Sequence, residues 1–388
     1  MVSIKDAKVE IRRLSPKDGF HYFFGYYDNP AFCVQDKKHL CHKVNFWDRL
    51  PVKDDICELG TIDIKTGVWE KVAETSAFNF QQGAMLQWNP KNPDKEIIYN
   101  IRQGDEYRSV IHNIETGKIH TLPAALANVS QDGKWGLSIN MNRLYDFRPG
   151  YGYSCLKDYW YETAQPKDDG IWVIDMEKGD KKLILDYSEM GRLFSVSPNE
   201  KLLINHITFS PDNNRFVFLL RTFPTSNKTW HTGTGTIDKE GNDFHLMNPM
   251  SMASHYNWRD EKNLLIWAEV KGFQGMHLIT DKKDESIYFN NDFFYKDVHC
   301  IYSPDKKYVL GDGYLDGESF RQIYLFNMET KTRTLLLRAK SDPVADGDIR
   351  ADLHNRWSRD GKLVSFDSTH EGFRGLYLID LTEILKSF

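Results

Sequence analysis

Four histidines share one phase of a repeated pattern, each standing three residues ahead of an aromatic that opens a turn. They are His206 before Phe209-Ser210-Pro211-Asp212, His255 before Trp258-Arg259-Asp260, His299 before Tyr302-Ser303-Pro304-Asp305 and His354 before Trp357-Ser358-Arg359-Asp360. Imidazole is the commonest metal ligand and a frequent general base near neutral pH. Recurrence at one repeat position points to a shared centre more than to four separate packing choices. Asp352 lies two residues before His354, which on a strand puts both on one face. Two imidazoles and a carboxylate, from His299, His354 and Asp352, suit a divalent ion of the Mn²⁺ or Zn²⁺ type.

The elements that position these residues follow from the repeat. Turn anchors recur near Asp36, Asn89, Asp132, Asp212, Asp260, Asp305 and Asp360, each followed by a short apolar run such as Arg215-Phe216-Val217-Phe218-Leu219-Leu220. Farther along each unit comes a second hairpin with an acidic or glycine turn, as in Thr61-Ile62-Asp63-Ile64-Lys65-Thr66-Gly67. Two hairpins per unit make a four-stranded antiparallel blade, and seven units predict an all-β, seven-bladed β-propeller. The whole chain, residues 1–388, then forms one propeller domain. Val9-Glu10-Ile11-Arg12-Arg13 supplies the outer strand of the last blade and closes the ring.

In such a ring the first strand of each blade lines the channel, so equivalent side chains converge at one mouth. The first three units carry Pro30, Met85 and Leu126 near the histidine phase, so the fold itself does not require histidine there. Arg102, Arg221, Glu269 and His370 end second strands and are expected on the same face. The planar fork of Arg221 suits bidentate carboxylate binding. Eighty residues separate Asp132 from Asp212 against about 41 to 55 elsewhere, which places an insertion at about 143–167 in the third blade. It carries Arg143, Tyr145, Arg148, Tyr151 and Tyr159-Trp160-Tyr161, and a long ordered insertion is often a lid or binding loop. Arg148, Tyr151 and Arg102 are the expected substrate contacts.

Composition excludes several function classes. A net charge of −5 gives no general attraction for nucleic acid, so an acidic substrate needs a local basic pocket. No run of about 18 apolar residues predicts a membrane span. Five cysteines without a CxxC pair argue against a disulfide framework, and Met1-Val2-Ser3-Ile4-Lys5-Asp6 lacks a secretory pattern, so the expected location is cytoplasmic. No GxSxG elbow, Walker A loop or HExxH helix occurs.

The sequence resembles the oligogalacturonate lyase family, seven-bladed propellers that cleave short pectin fragments by β-elimination. Ser254-His255-Tyr256-Asn257-Trp258 falls where that family has its catalytic base, and His299 ahead of Gly311-Asp312-Gly313 matches a metal-ligand histidine. Asp352-Leu353-His354 lies over a family segment in which two histidines bind manganese, with Asp352 replacing the first and Ile349 near a glutamine ligand. The aromatic stretch His21-Tyr22-Phe23-Phe24-Gly25-Tyr26-Tyr27-Asp28 resembles more the ulvan lyase propellers, which act on other uronate polymers. The resemblance implies elimination from a uronate-containing oligo- or polysaccharide. His255 is then the base, Arg221 the carboxylate clamp, and His206 or an insertion tyrosine the acid. The rival readings are a non-catalytic propeller that binds glycan or protein in its funnel, and a metal-dependent hydrolase.

Overall fold

The computed structural model describes residues 4–6, 9–223, 230–341 and 347–386. Seven antiparallel sheets follow one another round a ring. The inner strands of the fourth, fifth and sixth blades are Leu202–Phe209, Ala253–Trp258 and Val298–Tyr302. The expected propeller is observed, and Ile11–Arg13 pairs antiparallel with Tyr377 to Ile379 as the outer strand of the last blade. An element not anticipated from the sequence is Ile4–Asp6, which adds a fifth, parallel strand to the outside of the sixth blade.

The recurring Ser-x-Asp turns explain why the hairpins form where they do. Ser130, Ser210, Ser303 and Ser358 each donate through Oγ to the aspartate two residues on, at 2.6 to 2.8 Å. The same Oγ accepts the backbone N–H five residues on, closing the turn from inside. The residue after the aspartate takes a left-handed conformation, supplied by Gly133 and Gly361 and tolerated by Asn213 and Lys306. The aromatic ahead of the turn joins neighbouring blades. Trp258 Nε1 donates to the Thr208 carbonyl and Trp357 Nε1 to that of Ile301, both at 3.3 Å. One side of each inner strand thus stitches blades together while the other is left for the channel.

The extra length of the third unit is divided between two places. Between strands Trp135–Ser138 and Gly170–Asp175 runs an insertion containing helix Met141–Phe147, capped by Asn140, which accepts from the Arg143 N–H. A second helix, Tyr187–Leu193, joins the third blade to the fourth and accounts for the rest of the long spacing. Among the described residues no helix is long and apolar enough to cross a membrane. The five cysteines are buried and unpaired.

Candidate functional site

Four imidazoles, three of them on inner strands, gather round two tyrosines at the channel mouth. Ring centroids of His255 and His299 lie 4.0 Å apart, and those of His299 and His354 4.5 Å. Tyr26 fills the space between them, 4.8 Å from His206 and 5.1 Å from His354, and Tyr27 packs 5.3 Å from His299. The segment bearing both tyrosines is anchored from the last blade. Asp367 accepts the N–H groups of Phe24 and Gly25 at 3.1 and 3.2 Å, and Arg356 donates to the Gly25 carbonyl at 2.9 Å.

Three of the four histidine rings each meet a carboxylate, and none of these partners was marked by the repeat. Asp312 accepts from His299 Nδ1 at 2.6 Å. Asp297 faces His255 Nδ1 at 3.0 Å, and Asp28 faces His206 Nε2 at 2.7 Å. Asp312 also accepts the His354 N–H through its second oxygen at 2.7 Å. That bond holds a residue whose φ of +43° lies in the left-handed region, uncommon for residues other than glycine. The expected strand face for Asp352 and His354 is therefore replaced by an irregular segment ahead of Arg356–Trp357. Asp352 Oδ2 nevertheless stands 4.0 Å from His354 Nε2.

Electrostatics separates the imidazoles. Burial lowers His255 to about 4 against the opposing pull of Asp297, which favours a neutral ring at neutral pH, with Nε2 turned to the Tyr314 hydroxyl. Burial, then the neighbouring His299, holds His354 well below its ordinary value. Burial also acts downward on His299, but Asp312, with Asp352 and Asp297 behind it, raises the net value. Asp352 is opposed by burial, yet Arg350 and Arg321 keep its carboxyl well below the usual range. Arg321 pairs with Oδ1 at 2.8 Å and Arg350 with Oδ2 at 2.7 Å.

The donor set fits a divalent ion. The Nε2 atoms of His299 and His354 are buried with no hydrogen-bond partner among the described residues, and one ligand atom from each of His299, His354 and Asp352 lies within 4.8 Å of the others. The Asp312 bond to His299 Nδ1 leaves Nε2 turned inward, as an outer carboxylate does for a metal-ligating histidine. Because two arginines share Asp352, this set carries less free negative charge than its composition suggests.

Above the histidines, the residues proposed to meet substrate come together. His206, His255, Arg221, Arg148 and Tyr151 line one recess with Tyr26 and Tyr314. It opens into a cavity of about 700 Å³ whose walls include Arg148, Arg221, Arg321, Arg350, Trp230 and Tyr314. Gly150, at φ +98°, permits the insertion to approach: a Cβ there would come within 2.6 Å of the Asp348 carbonyl. Tyr151 beyond it accepts from Arg350 Nη2 at 3.0 Å. Arg221 is 7% exposed, and burial followed by the nearby Arg148 lowers it to about 10. Neither arginine has a carboxylate partner among the described residues; Arg148 donates to Asn205 Oδ1 at 3.1 Å.

Other expected positions fall elsewhere. Arg102 is half-buried opposite Tyr107 in the second blade and lines neither space. Glu269 is exposed, and His370 bonds Ser368 at 2.8 Å beside Tyr377. Conversely, Tyr314 carried no sequence signal beyond following the Gly311-Asp312-Gly313 turn. It is 36% exposed overall, yet its hydroxyl points inward, 3.5 Å from His255 Nε2.

The sequence matches no family model and has no significant match to a curated protein. Among solved structures the chain is similar to an oligogalacturonate lyase from Vibrio parahaemolyticus, with 14% identity and a TM-score of 0.67, covering 98% of this chain and 96% of that one. It is also similar to an oligogalacturonate lyase in complex with manganese, with 17% identity, a TM-score of 0.69 and the same coverage. At these identities the likeness establishes the propeller.

Proposed function

We propose that the protein is a lyase that cleaves uronate-containing oligo- or polysaccharides by β-elimination. The observation carrying this reading is one recess that holds His255, lowered by burial to about 4, beside buried Arg221 and half-buried Arg148, neither with a carboxylate partner among the described residues. Elimination from a uronate needs those parts. The C5 proton is weakly acidic and becomes removable when the adjacent carboxylate is neutralised.

Arg221 and Arg148 hold that carboxylate, and His255 Nε2 takes the C5 proton. As the C5–H bond breaks, its electron pair forms the C4–C5 double bond and the C4–O4 bond breaks. Tyr314, whose phenol is raised well above its ordinary value by burial and then by Asp297, is the donor nearest the base and protonates O4. His206 is the second choice for that role, because its Nε2 is engaged by Asp28. His299, His354 and Asp352 would hold a divalent ion, which when bound supplies positive charge beside the substrate carboxylate. The solved relative with manganese supports a metal in this class of propeller.

The test is incubation of the purified protein with a panel of uronate oligomers, read by the ultraviolet absorbance of the unsaturated product. A rise that is lost in His255→Ala is expected. Inactivity on every uronate polymer, with retained binding, would favour a glycan-binding scaffold, and cleavage to saturated products would favour hydrolysis.

A further inference from the structure

The third-blade insertion contains a rigid structure that the lyase reading leaves unused. Arg143 is fully buried and pairs with buried Asp158 at 3.0 Å. Its guanidinium also donates to the carbonyls of Leu202 and Ala164 at 2.7 Å, and to that of Trp160 at 3.3 Å. The Trp160 N–H donates in turn to Asp158 Oδ1 at 3.0 Å. The loop is clamped from inside, yet it presents Tyr159 at 87% exposure, with Trp160 set nearly perpendicular to it at 4.9 Å. Isolated exposed apolar groups need no explanation, but two aromatic rings fixed at the lip of a cavity are a feature of binding surfaces.

Behind them is a cavity of about 340 Å³, walled further by Tyr107, Trp172, Asn142 and Asp169. The Asn142 Oδ1 is buried with no partner among the described residues, while its Nδ2 donates to the Lys157 carbonyl. Carboxylates outnumber cations in this lining, with Asp105, Glu106 and Asp169 against Lys181, whose ammonium lies over the Trp172 ring at 5.2 Å, and Glu106 is paired with Arg108 at 2.8 Å. This lining repels a uronate or sulfate. A neutral sugar fits it, with a C–H face to lie on an aromatic ring and hydroxyls to meet amide and carboxylate acceptors. Helix Met141–Phe147 begins at this cavity and ends at the axial one, about 10 Å away at its rise per residue.

We propose that this cavity is a binding subsite for a neutral sugar residue. The residue belongs either to the glycan whose uronate occupies the axial cavity or to a separate neutral glycan. Calorimetric titration of the full chain with galacto-, xylo- and manno-oligosaccharides, with oligouronates, and with oligomers containing both, tests the assignment. At least one neutral series is expected to bind, and Tyr159→Ala and Trp160→Ala each to weaken it at least about tenfold, the scale of a central aromatic contact. His255→Ala leaves this binding unchanged. Tighter binding of the mixed oligomer than of either component assigns both cavities to one glycan, and equal binding assigns a separate one. No binding of any neutral series, or binding retained by both aromatic variants, overturns the subsite. Because the readout is affinity, a wild type that binds neutral sugars without elimination keeps the subsite and loses the lyase reading. A lyase that binds no neutral sugar does the reverse.

Discussion

Asp312 and His299 face each other across one hairpin and are joined twice: the carboxylate Oδ1 accepts from both the ring Nδ1 and the backbone N–H of His299. With Oδ2 taken by the His354 N–H, one side chain orients the His299 ring and holds the backbone of His354. Asparagine offers a single acceptor oxygen, so Asp312→Asn must leave one of these donors unmatched. Metal affinity is expected to fall about 10- to 100-fold, the range for an outer-shell partner. Titration with Mn²⁺ and Zn²⁺ measures it, and unchanged affinity would remove Asp312 from the site.

Removal of a direct ligand has a larger consequence. Protein purified without chelator is expected to carry a divalent ion, and His354→Ala to lose most of it. Elemental analysis of the two decides, since equal content would mean that the orphaned Nε2 atoms have another purpose.

For the proposed base, His255→Ala should cost at least about 10²-fold in turnover, the scale of positioned proton transfer. Metal content and the thermal transition should stay near wild type. A variant of undiminished rate would transfer the base to another group in the recess.

Arg221→Lys preserves charge but not the planar pair of donors. Both a raised KM and a lowered kcat are expected from steady-state kinetics on a uronate oligomer. A change in KM alone would make Arg221 a binding contact without a role in stabilising the charge that develops.

A pH effect on stability follows from His42, in the first blade. Its Nε2 accepts the Ala84 N–H at 2.9 Å, and burial lowers its pKa to about 3. Above pH 6.5 both folded and unfolded states are neutral at this residue. As pH falls from 6.5 towards 3, the unfolded chain takes up a proton that the folded one refuses, so stability is lost in that window. The contribution is about 1.4 kcal/mol per pH unit. Denaturant titrations of His42→Gln should show a slope smaller by about one proton over this range; an unchanged slope would contradict it.

The sequence revealed the ring because hairpin turns and apolar runs are local and repeat. It revealed the histidines for the same reason, since one phase of a repeat becomes one radius of a ring. Asp28, Asp297 and Arg321 were not legible: each reaches the centre from a different loop or strand, at no fixed distance from the histidine or carboxylate it serves. Arg350 stands only two residues before the Asp352 it pairs with, but outside the repeat that marked the histidines. The irregular path at His354 was hidden because its cause, the bond to Asp312, comes from another blade. Arg102 was misplaced for a related reason. The end of a second strand faces the axis only when nothing turns it aside, and the polar hairpin of the second blade does not hold it there.

The pairing of Ile11–Arg13 with the last blade acts as the clasp of a hoop. Nearly the whole chain must be in place before it can fasten, so it is among the longest-range contacts in the fold and closes at a high loop-entropy cost. Its position is peripheral, but its effect is axial. The separations among His255, His299 and His354 are set by the circumference of the ring, and a clasp that slips lets that circumference grow. Substitutions at Arg13, which reaches Glu371 at 3.1 Å across this seam, therefore act on the geometry of the centre without touching any residue in it.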